Sequence, residues 1–198
     1  MEWSESGRIV QVKPYGETSA IVEVLTRDHG RHPGLVRGGR SRAMRPVLQP
    51  GNKVAATWRA RLADHLGAYQ IEPEDLGAGE LMEDRLALSG LNAACAMAVA
   101  ALPEREAHPM VFDGFEVLID MLGEPEVWPA IYVRWEAGLL ADLGYGLDLS
   151  KCAATGATED LVYVSPRTGR AVSAEAGAPY RDKLLALPAF MKGEGDLS

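Results

Sequence analysis

Five short runs of β-branched and alternating apolar residues, closely separated by turn residues, fill the first 71 positions of the chain. Pro14-Tyr15-Gly16, between the first two runs, has the composition of a tight turn. Five short strands in so little sequence fit a small closed barrel better than an open sheet. The strands are predicted at residues 4–13, 18–26, 31–37, 53–61 and 65–71, with a long loop rich in glycine, arginine and proline at 38–51.

Two types of barrel fit this pattern, the oligonucleotide-binding barrel (OB-fold) and the SH3-like barrel. The OB-fold is the natural candidate, although composition alone does not separate the two. Within the fourth run, Trp58 alternates in phase with Val54 and Ala56, which favours a core position for its side chain.

From residue 81 onward the apolar residues recur at helical spacing. Helices are predicted at 81–102, 109–122, 126–143 and 181–187. Between the last two, the turn residues of Pro166-Arg167-Thr168-Gly169 predict a hairpin with strands at 161–165 and 170–173. We therefore predict a multidomain α+β protein with a barrel domain at 1–78 and a helical domain at 79–198.

A basic segment at 27–45 stands out in a chain whose formal net charge is −8. Residues 1–64 hold 11 Lys/Arg against 6 Asp/Glu, whereas residues 65–198 hold 9 against 22. This split predicts a basic module joined to an acidic one, so that only the first third of the chain suits nonspecific binding of nucleic acid. Guanidinium groups match phosphate oxygens well, although the segment could also be a loop kept soluble by its charge. The predicted DNA contacts are Arg31, Arg37, Arg40, Arg42, Arg45 and Lys53, with Tyr15 exposed in its turn for base stacking.

No pattern in the chain carries a recognisable catalytic chemistry. Walker A, GxSxG, HExxH and a GxGxxG after a strand are all missing from the sequence. The four histidines stand in regions predicted as turns or loops, without a partner at metal-ligand spacing. We therefore expect a protein that is not an enzyme. These histidines are His29, His32, His65 and His108.

Cysteine usage and hydropathy limit the class of protein further. Cys152 has Thr155 where a CxxC pair would have its second thiol, so it is not expected to hold zinc. Cys95 and Cys152 do not make a disulfide framework, and no apolar run reaches the length of a membrane span. A reducing cytoplasm, no cofactor and no membrane contact are the expectations.

Several local motifs match one known family in order. They are a PYGE turn at 14–17, a T-x-x-x-G turn at 26–30, a V-R-G-x-R loop at 36–40 and an L-Q-P-G segment at 48–51. Further on, CAATGATEDL starting at Cys152, then SPRTGRAVS and EAGAPY, match the zinc-finger-like region of that family. On these motifs, which cover most of the chain, the sequence resembles the RecO family of DNA repair proteins.

The resemblance implies an N-terminal OB-fold and an α-helical domain. At 147–178 it implies a zinc-finger-like β-hairpin insert, degenerate because only Cys152 stands at a ligand position. It also implies a recombination mediator that binds single- and double-stranded DNA and anneals complementary strands. With RecR, the family helps to load RecA onto DNA coated with single-strand-binding protein, so RecF and RecA are indirect partners.

A second partner site is implied by the same resemblance. The family binds the acidic C-terminal tail of single-strand-binding protein through its helical domain, so that a local basic and apolar pocket is expected there. The candidates for that pocket are Arg134 beside Ile131 and Trp135, or else Arg105, with a surface ion pair as the alternative role of each arginine. A bacterial, cytoplasmic and nucleoid-associated location is implied as well.

Two rival functions remain open from the residues alone. The barrel could belong to an adaptor that binds a partner protein rather than DNA, in which case no DNA affinity with a steep salt dependence is expected. A metal-dependent nuclease would need a carboxylate cluster beside the basic segment, where the sequence offers only Asp28 and Asp64.

Overall fold

The computed structural model describes residues 1–192, without the side chain of Met82. Five strands form its first part, and each lies within a few residues of a predicted run. They are β1 (Glu2–Tyr15), β2 (Ser19–Thr26), β3 (Gly30–Val36), β4 (Lys53–Arg59) and β5 (Ala68–Asp75). Three main helices follow, so the mixed α+β fold predicted from the sequence is confirmed.

The five strands pair in a ring. β1 pairs antiparallel with both β2 and β4, and β5 joins the ring through β4 and a parallel bridge from Leu35 of β3 to Ala68. The resulting order, β1-β2-β3-β5-β4, closes the sheet into a barrel. β1 is long enough to pair with β4 over residues 2–8 and with β2 over residues 7–15, so the two pairings meet at Gly7. A Cβ at Gly7 would lie 2.5 Å from the Leu25 carbonyl oxygen, so the close strand contact requires glycine there.

Alternate residues of the strands fill the barrel interior. Ile9, Val22, Val24 and Val54 are fully buried, and Trp58 is 2 % exposed, as its phase in the sequence predicted. The long loop after β3 also contributes, because Val47 and Leu48 belong to the same core cluster. This loop therefore packs onto the barrel core instead of lying loose in solvent.

Helices α1 (Arg85–Ala101), α2 (Pro109–Asp120) and α3 (Trp128–Asp142) come next. Oδ1 of Asp84 caps α1 by accepting hydrogen bonds from the backbone N–H groups of Leu86 and Ala87, at 2.8 and 3.1 Å. A 3₁₀ turn (Gly77–Glu83) precedes this cap, so the predicted helix start at residue 81 was a few residues too early.

By its internal contacts the chain divides into two compact units, residues 1–129 and the residues from Ala130 onward. The first contains the barrel, α1 and α2. The predicted domain limits at residue 78 and at 147–178 stay predictions, and positions 193–198 of the predicted helical domain lie outside the described residues. No helix among residues 1–192 is long and apolar enough to cross a membrane.

The second unit contains α3, except its first two residues, and a small three-stranded sheet. Its strands are β6 (Leu161–Val164), β7 (Ala171–Ser173) and β8 (Leu185–Ala186), in the order β7-β6-β8, with a one-turn helix α4 (Ala174–Gly177) after β7. The helix predicted at 181–187 is wrong. The chain forms a 3₁₀ turn (Ala178–Lys183) and then β8, because the free edge of β6 offers backbone partners that a helix would leave unused.

Candidate nucleic-acid interface

The basic loop at 37–52 is ordered by its own backbone and by one buried asparagine. Ser41 and Arg45 begin and end a short turn in which the N–H of Arg45 donates to the Ser41 carbonyl at 3.1 Å. Nδ2 of Asn52, which is 1 % exposed, donates to the carbonyls of Pro46 and Val47 at 2.8 and 3.0 Å. The loop can therefore present its arginines from a fixed frame.

Arg40 joins this loop to the turn between β1 and β2. Its backbone N–H donates to the Thr18 carbonyl at 3.0 Å, and its Nη1 donates to the carbonyls of Gly16 and Glu17 at 2.8 and 3.0 Å. Within residues 1–192 the other guanidinium donors of Arg40 have no protein acceptor. The guanidinium is thus held in place while donors remain for an external anion.

Arg37, Arg42 and Arg45 are exposed, and none has an ion pair within the part of the chain that the structure describes. With Arg40 they form what we call the cationic edge of the barrel, defined by Arg37, Arg40, Arg42 and Arg45. The exposed acidic residue Glu17 lies beside it, in the β1–β2 turn whose carbonyls accept from Arg40. A surface of this kind attracts polyanions.

The outer face of the barrel adds residues beside the cationic edge. Lys13 of β1 pairs with Ile21 of β2, which pairs with Leu35 of β3, and all three lie on the face opposite the core residues of their strands. Tyr15 shares this face by strand alternation and is 54 % exposed, as predicted. The Lys13 side chain is 61 % exposed, with Nζ 3.6 Å from Oε1 of Glu23. Sequence reasoning missed Lys13, although its two-residue spacing from Tyr15 could have indicated it.

Two of the predicted DNA contacts are occupied within the protein. Arg31, whose side chain is 11 % exposed, pairs through Nη1 with Glu23 and donates from Nε to the Leu102 carbonyl at 3.0 Å. Nζ of Lys53 lies 2.5 Å from Oε2 of Glu116, and the lysine side chain is 33 % exposed. The structure does not bring these two side chains into the cationic edge, and their contact with DNA stays a prediction.

The residues predicted for a partner site fall in both units. Arg105, in the first unit, has a positive φ of 63° and donates from Nη1 and Nη2 to the carbonyls of Ala63 and His65, at 2.7 and 2.9 Å. These hydrogen bonds hold the β4–β5 loop in place, so Arg105 has a structural role. In the second unit, Trp135 is buried, Ile131 is half-buried and Arg134 is exposed.

Arg134 lines a small open pocket of about 240 Å³ whose other walls are mostly apolar. All of these walls belong to the second unit: Ala137, Gly138, Ala141, Leu147, Leu149 and Met191. A cation beside apolar walls is the arrangement that was expected for an acidic peptide with apolar side chains, but only Arg134 of the four predicted residues lines it.

Two of the four histidines pack against aromatic rings of the barrel. His32, which falls within the strand predicted at 31–37, is in β3 and 4 % exposed, where its ring meets those of Trp58 and Trp3 edge-on at 4.6 and 5.1 Å. Burial lowers the pKa of His32 to about 4. His29 does lie in a turn, stacked on Trp3 at 4.1 Å, with Nδ1 2.7 Å from Oε2 of Glu5. Within residues 1–192 no three His, Cys, Asp or Glu side chains converge as metal ligands would.

Cys152 precedes the small sheet of the second unit, belongs to its hydrophobic core and is 1 % exposed. Its Sγ accepts hydrogen bonds from the backbone N–H and the hydroxyl of Ser173, at 3.3 and 3.5 Å. Hydrogen bonds from Ser173 and Thr155 lower the pKa of the thiol to about 6, although burial acts in the opposite direction. One thiol with two hydroxyls does not fit zinc, which takes four nitrogen, sulfur or carboxylate ligands.

The chain matches two family models that together cover nearly all of it. The model described as "Recombination protein O N terminal" matches residues 1–74, and "Recombination protein O C terminal" matches residues 82–198. The first match ends close to the end of β5, and the second begins just before α1.

Curated relatives agree with these models. The chain is 59 % identical over 191 residues to the DNA repair protein RecO of Phenylobacterium zucineum, which covers 96 % of this chain and 79 % of that protein. It is 57 % identical over 195 residues to the RecO of Rhodospirillum centenum, covering 98 % of this chain and 78 % of the relative. For the RecO of Ruegeria sp. the identity is 54 % over 195 residues, with 98 % and 81 % covered.

Proposed function

The chain belongs to the RecO family of DNA repair proteins, and from this premise we propose that it binds single- and double-stranded DNA through the cationic edge of its barrel. The observation that carries the proposal is the set of four exposed arginines, held on an ordered loop, in a chain whose net charge is −8. The closed ring of five strands suits an OB-fold, whose outer face on the second and third strands commonly binds oligonucleotides. Tyr15 and Lys13 lie beside that face.

Phosphate neutralisation is the proposed physical basis of activity. Each arginine that contacts a phosphate releases condensed counterions, so that affinity falls steeply as salt rises. A cationic surface that holds one strand also reduces its repulsion toward a complementary strand, which favours annealing. No bond is made or broken in this process, so the proposed protein is a mediator and not an enzyme.

The partners proposed for the chain are those of recombination mediators. With RecR, it would help RecA to replace single-strand-binding protein on gapped DNA, with RecF acting indirectly. The acidic tail of single-strand-binding protein would bind at the Arg134 pocket, where a cation stands beside apolar walls. The small sheet around Cys152 would keep the shape of a zinc-finger-like knuckle without metal, so that elemental analysis of the purified protein is expected to find no stoichiometric zinc.

A salt titration tests the proposal. Binding of a fluorescent single strand is followed by anisotropy at several salt concentrations, for the wild type and for the Arg42→Ala/Arg45→Ala double variant. These two arginines are chosen because the structure gives their side chains no internal bond within residues 1–192, so that the fold should be kept. If each contacts one phosphate, the slope of log affinity against log salt becomes shallower by roughly 1.4 in total.

The matched control removes two arginines outside the edge. Arg85→Ala/Arg167→Ala causes the same change in net charge, at two exposed positions on α1 and in the β6–β7 turn. It should leave the slope as in the wild type. Equal slopes for all three proteins would overturn the assignment of the edge, and an affinity without salt dependence would favour the adaptor function instead.

A further inference from the structure

A cavity of about 320 Å³ opens at the end of the barrel, beside the cationic edge. Its floor is apolar and consists of Val12 from β1, Ala20 from β2 and Leu48 from the basic loop. Pro14 and Pro50 form two of its walls. Val47 and Leu48 of the loop are buried, whereas Val12, which lines the cavity, is only half-buried.

Two members of the cationic edge, Arg40 and Arg45, line the mouth of this cavity. Nη1 of Arg40 is held by the carbonyls of Gly16 and Glu17, which fixes the guanidinium near the mouth. The remaining polar wall is Gln49, whose amide Nε2 donates to the Arg45 carbonyl at 2.7 Å. Charge is therefore concentrated at the rim, and the interior has few groups that could form hydrogen bonds with a ligand.

We propose that this cavity seats one unstacked nucleobase of a single strand, with Arg40 and Arg45 on the phosphates that flank it. The inference rests on the proposed DNA binding and deepens it, because it assigns a place to a base as well as to phosphates. A planar base with apolar faces, carried by a polyanion, is the ligand that an apolar cavity with a cationic rim complements. The volume is sufficient for a pyrimidine or a purine ring.

The residues that line the cavity predict how strongly it would discriminate between different bases. Base identity is distinguished by hydrogen bonds to base edges, and here the interior is mainly hydrocarbon. The seat should therefore accept different bases with similar affinity, as a protein that coats or anneals arbitrary sequences requires. Base-paired DNA cannot offer an unstacked base without the cost of opening a pair, so single strands should bind more tightly than duplexes of equal length.

The test distinguishes the contribution of the base to binding from that of the phosphates. Anisotropy titrations compare a labelled thymidylate oligomer of about 12 nucleotides with an oligomer of equal length made of abasic residues, which keeps the phosphates. Val12→Phe is then introduced to fill the cavity from its floor. It should weaken binding of thymidylate by about tenfold or more, because the base loses its place in the cavity, and leave binding of the abasic oligomer unchanged.

Val117→Phe is the matched control, since it adds the same ring to a residue of α2 that is 51 % exposed. It should change neither titration. The proposed base site is overturned if Val12→Phe retains the wild-type affinity for thymidylate, or if it loses affinity for the thymidylate and abasic oligomers equally. If neither oligomer binds the wild type with a salt-dependent affinity, the proposed DNA binding itself fails, and the two failures are thus distinguishable.

A second measurement uses the wild type, in case Val12→Phe does not fold. Photocrosslinking with an oligomer that contains 5-iodouracil, followed by peptide mapping, should place crosslinks at the residues that line the cavity, within 12–14, at 20, or within 39–40 or 45–50. Crosslinks found only elsewhere would overturn the proposal. So would an acidic peptide with apolar side chains that competes for the cavity, and loses affinity on Val12→Phe, while thymidylate does not.

Discussion

Arg8 and Glu116 form an ion pair in which Nε of the arginine lies 2.6 Å from Oε1 of the glutamate. The Arg8 side chain is 4 % exposed, and its other nitrogens bind Oδ1 of Asp120 at 2.6 Å and the Gly51 carbonyl at 3.0 Å. Each of the three nitrogens of this buried guanidinium in β1 thereby has an acceptor. The arrangement fixes α2 against the barrel within the first unit.

Arg8→Met is expected to lower the free energy of unfolding by about 3 kcal/mol or more, because it leaves the partly buried Glu116 with only Lys53 as a partner. Urea unfolding followed by tryptophan fluorescence measures the change. Arg59→Met is the control, since its pair with Glu2 at 2.8 Å is exposed on both sides. Equal shifts of the urea midpoint for the two variants would contradict this account.

His32 should make the barrel sensitive to acid. Burial lowers its pKa from 6.5 to about 4, so the unfolded chain takes up this proton first as the pH falls. The stability that neutral His32 contributes is complete above pH 6.5 and is lost between pH 6.5 and about 4, at up to roughly 1 kcal/mol per pH unit.

His32→Phe keeps an aromatic ring against Trp58 and removes the titrating group. Its unfolding free energy should therefore fall less than that of the wild type between pH 6.5 and 4.5, when both are measured by urea unfolding. Carboxylates titrate equally in both proteins and cancel in the difference. The same pH dependence in variant and wild type would rule out His32 as the source.

The thiol of Cys152 should ionise near neutral pH. Hydrogen bonds from Ser173 and Thr155 lower its pKa to about 6, whereas burial raises the pKa of Cys95 to about 12, so the two thiols are separable by their thiolate absorbance at about 240 nm. Ser173→Ala removes the largest cause and should move the first midpoint upward. Ser150→Ala, whose hydroxyl donates to Asp148 at 2.7 Å, should not. A wild-type midpoint near the ordinary thiol value would contradict the prediction.

The strands were predictable because each depends on local features. Alternating apolar residues and turn residues are visible in a window of a few positions, and they placed all five barrel strands. The packing of Val47 and Leu48 against the core was not visible, since the loop has no periodicity and is buried only through contacts with distant strands. The strand β8 was missed for the same reason, because it exists only by pairing with β6.

Residue type alone does not predict which basic side chains are paired within the protein and which remain available at its surface. Arg31 and Arg40 look equivalent in the sequence. In the structure Arg31 forms an ion pair with Glu23 on the neighbouring strand, whereas Arg40 is held at the surface by backbone carbonyls. The Arg31–Glu23 pair could have been inferred from the β2–β3 hairpin register, in which Leu25 lies opposite Arg31. The pairing of Lys53 with Glu116 could not, since it joins a strand to a helix 63 positions away.

Tyr15 should contribute base stacking without phosphate contact. Its ring is 54 % exposed on the outer face, beside Lys13 and the β1–β2 turn that Arg40 holds. Tyr15→Ala is expected to weaken binding of a thymidylate oligomer by about 1–3 kcal/mol while leaving the salt slope unchanged, because stacking releases no counterions. Tyr145→Ala removes a ring that is 75 % exposed in the second unit and should not alter the affinity. If Tyr15→Ala instead made the salt slope shallower, or weakened an abasic oligomer equally, the tyrosine would be acting on the backbone and not on a base.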